Sequence, residues 1–205
     1  MGNQPRRIKH LGAREFYISF KNQTRHLKKQ KNHKIVLKKI YGTCKKQNPE
    51  KTLFELVLDG VTPTPQIFSA FVDSLVTNPN PKNISLRESK LNEKCIENLF
   101  ETMKNQPTQV HQLDLSLNPI SEETLSLIVN QLISSDQEYL QLYHLTLDGI
   151  DLDDVSIGII LELIQKYPKL KILELRNNHL SHSSIALIRE ASSNKHFLDK
   201  TRSRF

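Results

Sequence analysis

The chain has 205 residues, 37% of them apolar, which is enough to bury one continuous core, and no run is long and apolar enough to span a bilayer. Two cysteines, Cys44 and Cys95, exclude a disulfide framework and leave buried thiols as the expected state. The formal charge of +7 is unevenly spread: residues 1–52 carry 15 Lys and Arg against Glu15 and Glu50, a balance of +13, whereas residues 53–205 carry a balance of −6.

The first segment, "MGNQPRRIKHLGAREF", lacks the apolar core of a secretory signal. Met1-Gly2 opens like a myristoylation site, but Arg6 stands where Ser or Thr is required. Residues 1–12 are expected to be loosely held, and the chain to be a soluble protein of a reducing, cytoplasmic compartment. "FYISF" (Phe16 to Phe20) alternates with the period of a strand and is expected to pair along the edge of a sheet begun by the residues after 52. "TRHLKKQKNHKIVLKKIYGTCKK" predicts a helix with Leu27, Ile35, Leu37, Ile40 and Tyr41 as its apolar contacts.

From residue 53 a pattern repeats. In "VHQLDLSLNPI", counting Val110 as position 1, apolar residues fall at positions 4, 6 and 11 (Leu113, Leu115, Ile120), with Asn118 at 9. "LKILELRNNHL", "LYHLTLDGIDL", "PKNISLRESKL" and "LFELVLDGVTP" follow the same template. The five units start at 53, 81, 110, 142 and 170, spaced 28, 29, 32 and 28 residues apart. Each opens with a strand's alternation and closes with a helix's three-and-four spacing. Position 12, unused in finding the units, holds Thr64, Asn92, Ser121, Asp153 and Ser181, all favoured helix N-caps. Pro65 suits a first helical position. Positions 16 (Phe68, Ile96, Leu125, Ile157, Ile185) and 19 (Phe71, Leu99, Ile128, Ile160, Ile188) place one apolar face on every helix.

"VHQLDLSLNPI" and "LKILELRNNHL" resemble the L-x-x-L-x-L-x-x-N-x-L pattern of leucine-rich repeats. A period near 28 with a full helix per unit is similar to the ribonuclease-inhibitor-like subclass. The resemblance implies an α/β fold: a right-handed β-α solenoid, or horseshoe, with a parallel concave sheet and convex helices. It covers residues 53–193. Position 9 is Val61, Ser89 and Ile150 in three units, so the side-chain amide ladder of the family is expected to be incomplete. Solenoid ends need atypical capping units, so residues 13–52 are read as a basic N-terminal cap and residues 194–205 as a loose C-terminal tail.

Enzyme chemistry has no foothold in the motifs. There is no G-x-G-x-x-G, no phosphate-binding loop, no G-x-S-x-G elbow, no H-E-x-x-H and no C-x-x-C. "DLDD" (Asp151, Asp153, Asp154) sits at a helix start, where capping and the helix dipole account for it. His179 and His182 have no third ligand nearby in sequence. Catalysis, metals and cofactors are therefore not expected. The lysines at 28, 29, 31, 34, 38 and 39 are dense enough to attract phosphate, which keeps nucleic acid or an anionic membrane as an alternative partner of the basic segment.

Strand alternation turns positions 3, 5 and 7 away from the core, with 2 and 8 at the margins. The candidate partner-binding residues are Phe54, Glu55, Asp59, Arg87, His111, Asp114, Ser116, Tyr143, His144, Asp148, Glu174 and Arg176. They define a mostly acidic surface with aromatic residues at one margin. The expected function is a non-enzymatic protein–protein interaction module, monomeric alone and a heterodimer with its partner. Resemblance to ribonuclease-inhibitor-like proteins implies one mechanism, in which the concave face covers an enzyme's active-site cleft and a carboxylate such as Asp114 or Glu174 pairs with basic residues there. The small size, irregular repeats and Lys/Asn/Ile-rich composition are also similar to leucine-rich-repeat effectors of bacterial type IV (Dot/Icm-type) secretion systems. That resemblance implies a host protein or a second effector as partner, delivery into host cytoplasm without a cleaved signal peptide, and a translocation signal in the tail "NKHFLDKTRSRF".

Overall fold

The structure, a computed structural model, describes residues 13–46, 55–77, 81–105, 110–134, 141–193 and 198–199. The expectations for residues 1–12, for Phe54 and for most of the C-terminal tail lie outside the described residues.

Each unit forms a three-residue strand followed by a helix. The strands are β1 (Glu55–Val57), β2 (Asn83–Ser85), β3 (Gln112–Asp114), β4 (His144–Thr146) and β5 (Ile172–Glu174). The helices are α3 (Pro65–Thr77), α4 (Glu93–Asn105), α5 (Glu122–Ile133), α6 (Ile157–Lys166) and α7 (His182–Ser193), and two further helices, α1 (Ala13–Gln23) and α2 (His33–Lys46), precede them. The strands pair in parallel in sequence order, and Leu198–Asp199 adds a sixth, β6, beside β5. Two tail residues thus belong to the sheet.

The register follows the repeat template. Glu55, Asn83, Gln112, His144 and Ile172 form one row across the sheet, and Val57, Ser85, Asp114, Thr146 and Glu174 the next. Leu56, Ile84, Leu113, Leu145 and Leu173 point the other way into the core, together with position 19 of all five helices and position 16 of α3, α4 and α5; Ile157 is only partly buried against it and Ile185 is half-buried. The result is a β-α solenoid, sheet on one face and helices on the other.

All five position-12 residues cap a helical start, four of them that of the unit's α-helix and Asp153 that of the 3₁₀ turn (Asp154–Ser156) that leads into α6. The side-chain oxygens of Thr64, Asn92, Ser121, Asp153 and Ser181 accept from the backbone N–H of Ile67, Cys95, Thr124, Val155 and Ser184 at 3.0–3.4 Å. Asp154 does more than meet a dipole: its carboxylate accepts from Ser181 N (2.9 Å) and Ser184 Oγ (2.6 Å), tying one unit's helix start to the next. Tyr167, which the repeat template does not single out, is fully buried and donates to Leu142 O at 2.9 Å.

The turn after each strand carries a feature invisible in the apolar pattern. Position 8 is left-handed in every unit: Gly60, Glu88, Leu117, Gly149 and Asn177 have φ between 54° and 69°. At Gly149 a Cβ would also come within 2.6 Å of Leu117 Cδ2, the corresponding residue of the preceding unit.

Two expectations for the N-terminal segment are corrected. "FYISF" lies in helix α1, not in a strand. Phe16 and Phe20 are spaced by four as well as by two, and with Ala13 they form one buried helical face, while Ile18 is 44% exposed. Over five residues the two periods cannot be separated, and the i, i+4 pair decides. Phe16 then packs edge-on against Phe71 of α3, ring centroids 6.3 Å apart. The second segment is not one helix. A 3₁₀ turn (Arg25–Leu27) and a left-handed Asn32 (φ 66°) break it, and Asn32 Nδ2 is held by Thr62 O at 2.8 Å. The face of α2 that is buried is His33, Val36, Ile40 and Cys44, whereas Ile35 and Tyr41 are exposed.

Gly42 sits in the interior of α2, and a Cβ there would meet nothing within 4 Å. Helix-interior glycine costs roughly 0.5–1 kcal/mol relative to alanine. Gly42→Ala is therefore expected to raise stability by about that amount, read as a melting temperature a few degrees higher. A lower melting temperature would show that the backbone there needs glycine.

Candidate functional site

The concave residues divide into those that hold the sheet and those left at its surface. Position 7 belongs to the first group. Asp59 Oδ1 accepts from Arg87 N (3.1 Å), Ser116 Oγ from Asp148 N (3.3 Å) and Asp148 Oδ1 from Arg176 N (2.7 Å). In each case a side chain of one unit takes the backbone N–H of the same position in the next. Asp114 Oδ1 serves the remaining N–H, that of Ser116, at 2.8 Å. Position 9 runs a parallel ladder deeper in the turn. Asn118 and Asn178 donate to Leu86 O and Leu147 O at 2.9 Å, and Ser89 stands in for an amide by donating to Leu58 O at 3.1 Å. The ladder is therefore more complete than the asparagine count implies, Ile150 being the interior position without a polar rung.

These roles cost exposure. Ser116 is fully buried, Asp148 is 7% exposed and Glu174 8%. Burial is the main influence on Asp148 and raises its carboxyl above the ordinary value; the Arg176 N–H and guanidinium oppose this, and the charges of Glu174 and Asp114 add to it.

Glu174 closes a cluster at the β4–β5 end. Its Oε2 accepts from the Arg176 guanidinium, and its Oε1 lies 3.1 Å from His144 Nε2. Thr146 Oγ1 lies 3.3 Å from the same His144 nitrogen. A hydroxyl, imidazole and carboxylate in one cluster invite a catalytic reading, but a relay needs the hydroxyl and the carboxylate on opposite ring nitrogens. Here both meet Nε2, so the hydroxyl has no base whose far side is held by the acid. Cys44 and Cys95 offer no thiolate at neutral pH: both are buried, and burial pushes Cys44 up to about 12. His179 pairs with Asp151 at 3.5 Å on an exposed turn, and among the described residues no group of three His, Cys, Asp or Glu is placed to hold a metal ion.

The surface set lies toward β1–β4. Glu55, Ser85, Gln112, Asp114, His144 and Thr146 surround a hollow of about 220 Å³ over the row of paired strand positions. Ser85, Gln112 and Thr146 were not among the expected binding residues, although the register rows that carry Asp114 and His144 contain them too. Beside the hollow, the rings of His111 and Tyr143 lie 5.6 Å apart, and Tyr143 Oη accepts from Gln112 Nε2 at 3.1 Å. Burial, aided by the Lys82 charge, lowers the His111 pKa and keeps its imidazole neutral near pH 7. Arg87 is half-buried farther along position 7. The arrangement can recognise a cationic or hydrogen-bonding surface through carboxylates, hydroxyls and an aromatic edge.

No protein-family profile and no curated protein matches the chain by sequence. Solved structures do match by fold. The tropomodulin C-terminal domain of Caenorhabditis elegans superposes over 90% of this chain and 93% of its own, with a TM-score of 0.56 at 9% identity. Leiomodin-1 actin-binding site 2 superposes over 73% of this chain and 80% of its own, with a TM-score of 0.56 at 18% identity. At such identities the likeness is one of fold, and the fold is that of leucine-rich-repeat-like domains.

Proposed function

We propose that this chain is a non-enzymatic module that binds a protein partner on its concave sheet. One observation carries the reading: Glu55 and Asp114 line the β1–β4 hollow with carboxylates, one oxygen of Asp114 also accepting from Ser116 N, while the buried Ser116 and Asp148 of the same face are taken up in holding neighbouring strands together. Leiomodin-1 supports it by analogy, since a domain of similar fold there is an actin-binding site. The partner is a protein with basic residues that reach the hollow, and the complex is a one-to-one heterodimer. If that partner is an enzyme whose cleft carries those basic residues, docking covers the cleft and keeps substrate out. The sequence pattern alone supports the further reading as a secreted effector acting on a host protein or a second effector.

The test is affinity capture from bacterial and host lysates with the wild type beside Glu55→Lys/Asp114→Lys, with the circular dichroism of the two compared. A partner retained by the wild type and lost by a folded double reversal is the expected result. A partner that both forms hold equally would move the interface off the concave sheet. If the captured partner is an enzyme that keeps full activity when saturated, inhibition by cleft coverage is wrong.

A further inference from the structure

A second surface lies at the opposite end of the sheet from β6. β1 is the first strand in the order, and α2 packs beside it, with Thr43 Oγ1 donating to Val57 O at 3.5 Å. Between helix and strand runs a groove of about 500 Å³. Its apolar part is Ile35, Gly42 and Val57, and its cationic part is Lys38, Lys39 and Lys46.

Helical spacing assembles this face. Residues 35, 38, 39, 42 and 46 recur at three, four, seven and eleven from the first, which is one side of a helix. They alternate with the buried side formed by His33, Val36, Ile40 and Cys44. α2 therefore has two ordered faces, one spent on the core and one lining the groove. On the groove side Ile35 is 52% exposed, an uncommon state for an isoleucine in a concavity.

Two independent features say what would fill it. The first is charge. α2 contains five lysines and no acidic residue, and none of the ion pairs among the described residues uses one of them. Glu55 is the one carboxylate at the groove. Lysine stems add apolar wall while their ammonium groups stay in water. The second is Gly42. A helix interior disfavours glycine, and no neighbouring atom excludes a side chain there, so packing does not explain it. What glycine does is leave the middle of the groove open between Ile35 and Val57.

We infer that this groove docks an acidic peptide segment of a partner protein, an apolar side chain of the peptide seating over Gly42 and its flanking carboxylates meeting Lys38, Lys39 and Lys46. Glu55 lines both this groove and the concave hollow, but Lys38, Lys39, Gly42 and Lys46 line the groove and not the hollow, so variants at those positions test this reading apart from the other. A nucleic-acid backbone would satisfy the lysines but leave Ile35 and the open site at Gly42 unused, which is why a peptide is the better fit.

The experiment is fluorescence anisotropy with the full chain and a fluorescein-labelled peptide in which a Leu-Leu pair is flanked by glutamates. The wild type is expected to bind it saturably. Gly42→Leu, which fills the groove, is expected to weaken binding at least about ten-fold while melting no lower than the wild type. Lys38→Glu/Lys39→Glu is expected to weaken it as much and to flatten its salt dependence. Replacing the peptide's leucines by serines is expected to do the same as Gly42→Leu. Unchanged binding by Gly42→Leu or by the serine peptide would overturn the proposal, leaving unspecific charge attraction. Binding to phosphatidylserine vesicles or single-stranded RNA with none to the peptide would also overturn it, in favour of a lipid or nucleic-acid surface. So would self-association in sedimentation that Gly42→Leu abolishes without any peptide binding.

Discussion

Replacing Asn118 by alanine is expected to cost at least about 3 kcal/mol, because three buried backbone groups lose their partner and each orphaned group costs about 1–3 kcal/mol. Asn118 is 2% exposed. Its Nδ2 donates to Leu86 O and Leu115 O at 2.9 and 2.8 Å, and its Oδ1 accepts from Leu91 N at 3.2 Å. Leu86 and Leu91 belong to the preceding unit, so one side chain fastens two neighbours of the array. In a solenoid, stability is a sum of unit and nearest-neighbour terms, and the loss falls on that single junction. Against a total of typically about 5–15 kcal/mol, it is a large fraction. Urea unfolding followed by circular dichroism measures it, with Ser89→Ala as the comparison. Ser89 makes one such contact, to Leu58 O, and its removal is expected to cost about 1 kcal/mol. Asn118→Asp should be no better than alanine, since it keeps the acceptor but turns a carboxylate toward two carbonyl oxygens. If Asn118→Ala costs no more than Ser89→Ala, the amide is not what joins the units.

The contrast between Asn118 and Ser116 shows how far a sequence pattern reaches. Leucines at positions 4 and 6 and hydroxyl, amide or carboxylate residues at position 12 are forced by burial and by helix ends, and both forces act locally enough to leave a period. That period places the strand rows and the helix caps correctly. Alternation also says that positions 3, 5 and 7 leave the core, but not what a polar side chain does once outside it. Ser116, Asp148 and Glu174 bend along the sheet to neighbouring strands, and that choice depends on residues some 30 positions away. The left-handed turn at position 8 is written in Gly60, Gly149 and Asn177, but hidden at Glu88 and Leu117, where the surrounding strand register imposes it on residues that disfavour it. In the N-terminal segment no repeat is available to average over. Five residues of "FYISF" fit either period, and only the packing of Phe16 against Phe71 selects the helix.

The same distinction decides how the concave face should be probed. Asp148→Lys is expected to cost about 3–5 kcal/mol, as breaking a buried charge contact from one side does. It removes the acceptor of Arg176 N and sets an ammonium beside the Arg176 guanidinium in a site 7% exposed. Asp148→Asn is expected to act in the opposite direction. The amide oxygen still accepts from Arg176 N, and the buried charge is gone. The pH dependence fixes the sign. Burial raises the folded pKa of Asp148 above its ordinary 3.8, so the unfolded chain gives up this proton first as pH rises. The wild type therefore loses stability as pH climbs from about 3.8 through the folded value, and Asp148→Asn does not. The urea midpoints of the two proteins should coincide at the acidic end and separate toward neutrality, with Asp148→Asn the more stable. A wild type that instead gains on Asp148→Asn as pH rises would mean that attraction to Arg176 outweighs burial, and that the charge itself holds the ladder. Under either outcome a reversal at Asp148 or Glu174 reports on folding. Loss of a partner on such a variant would be no sign of an interface, whereas Asp114→Asn removes a charge at the hollow and keeps an oxygen that accepts from Ser116 N.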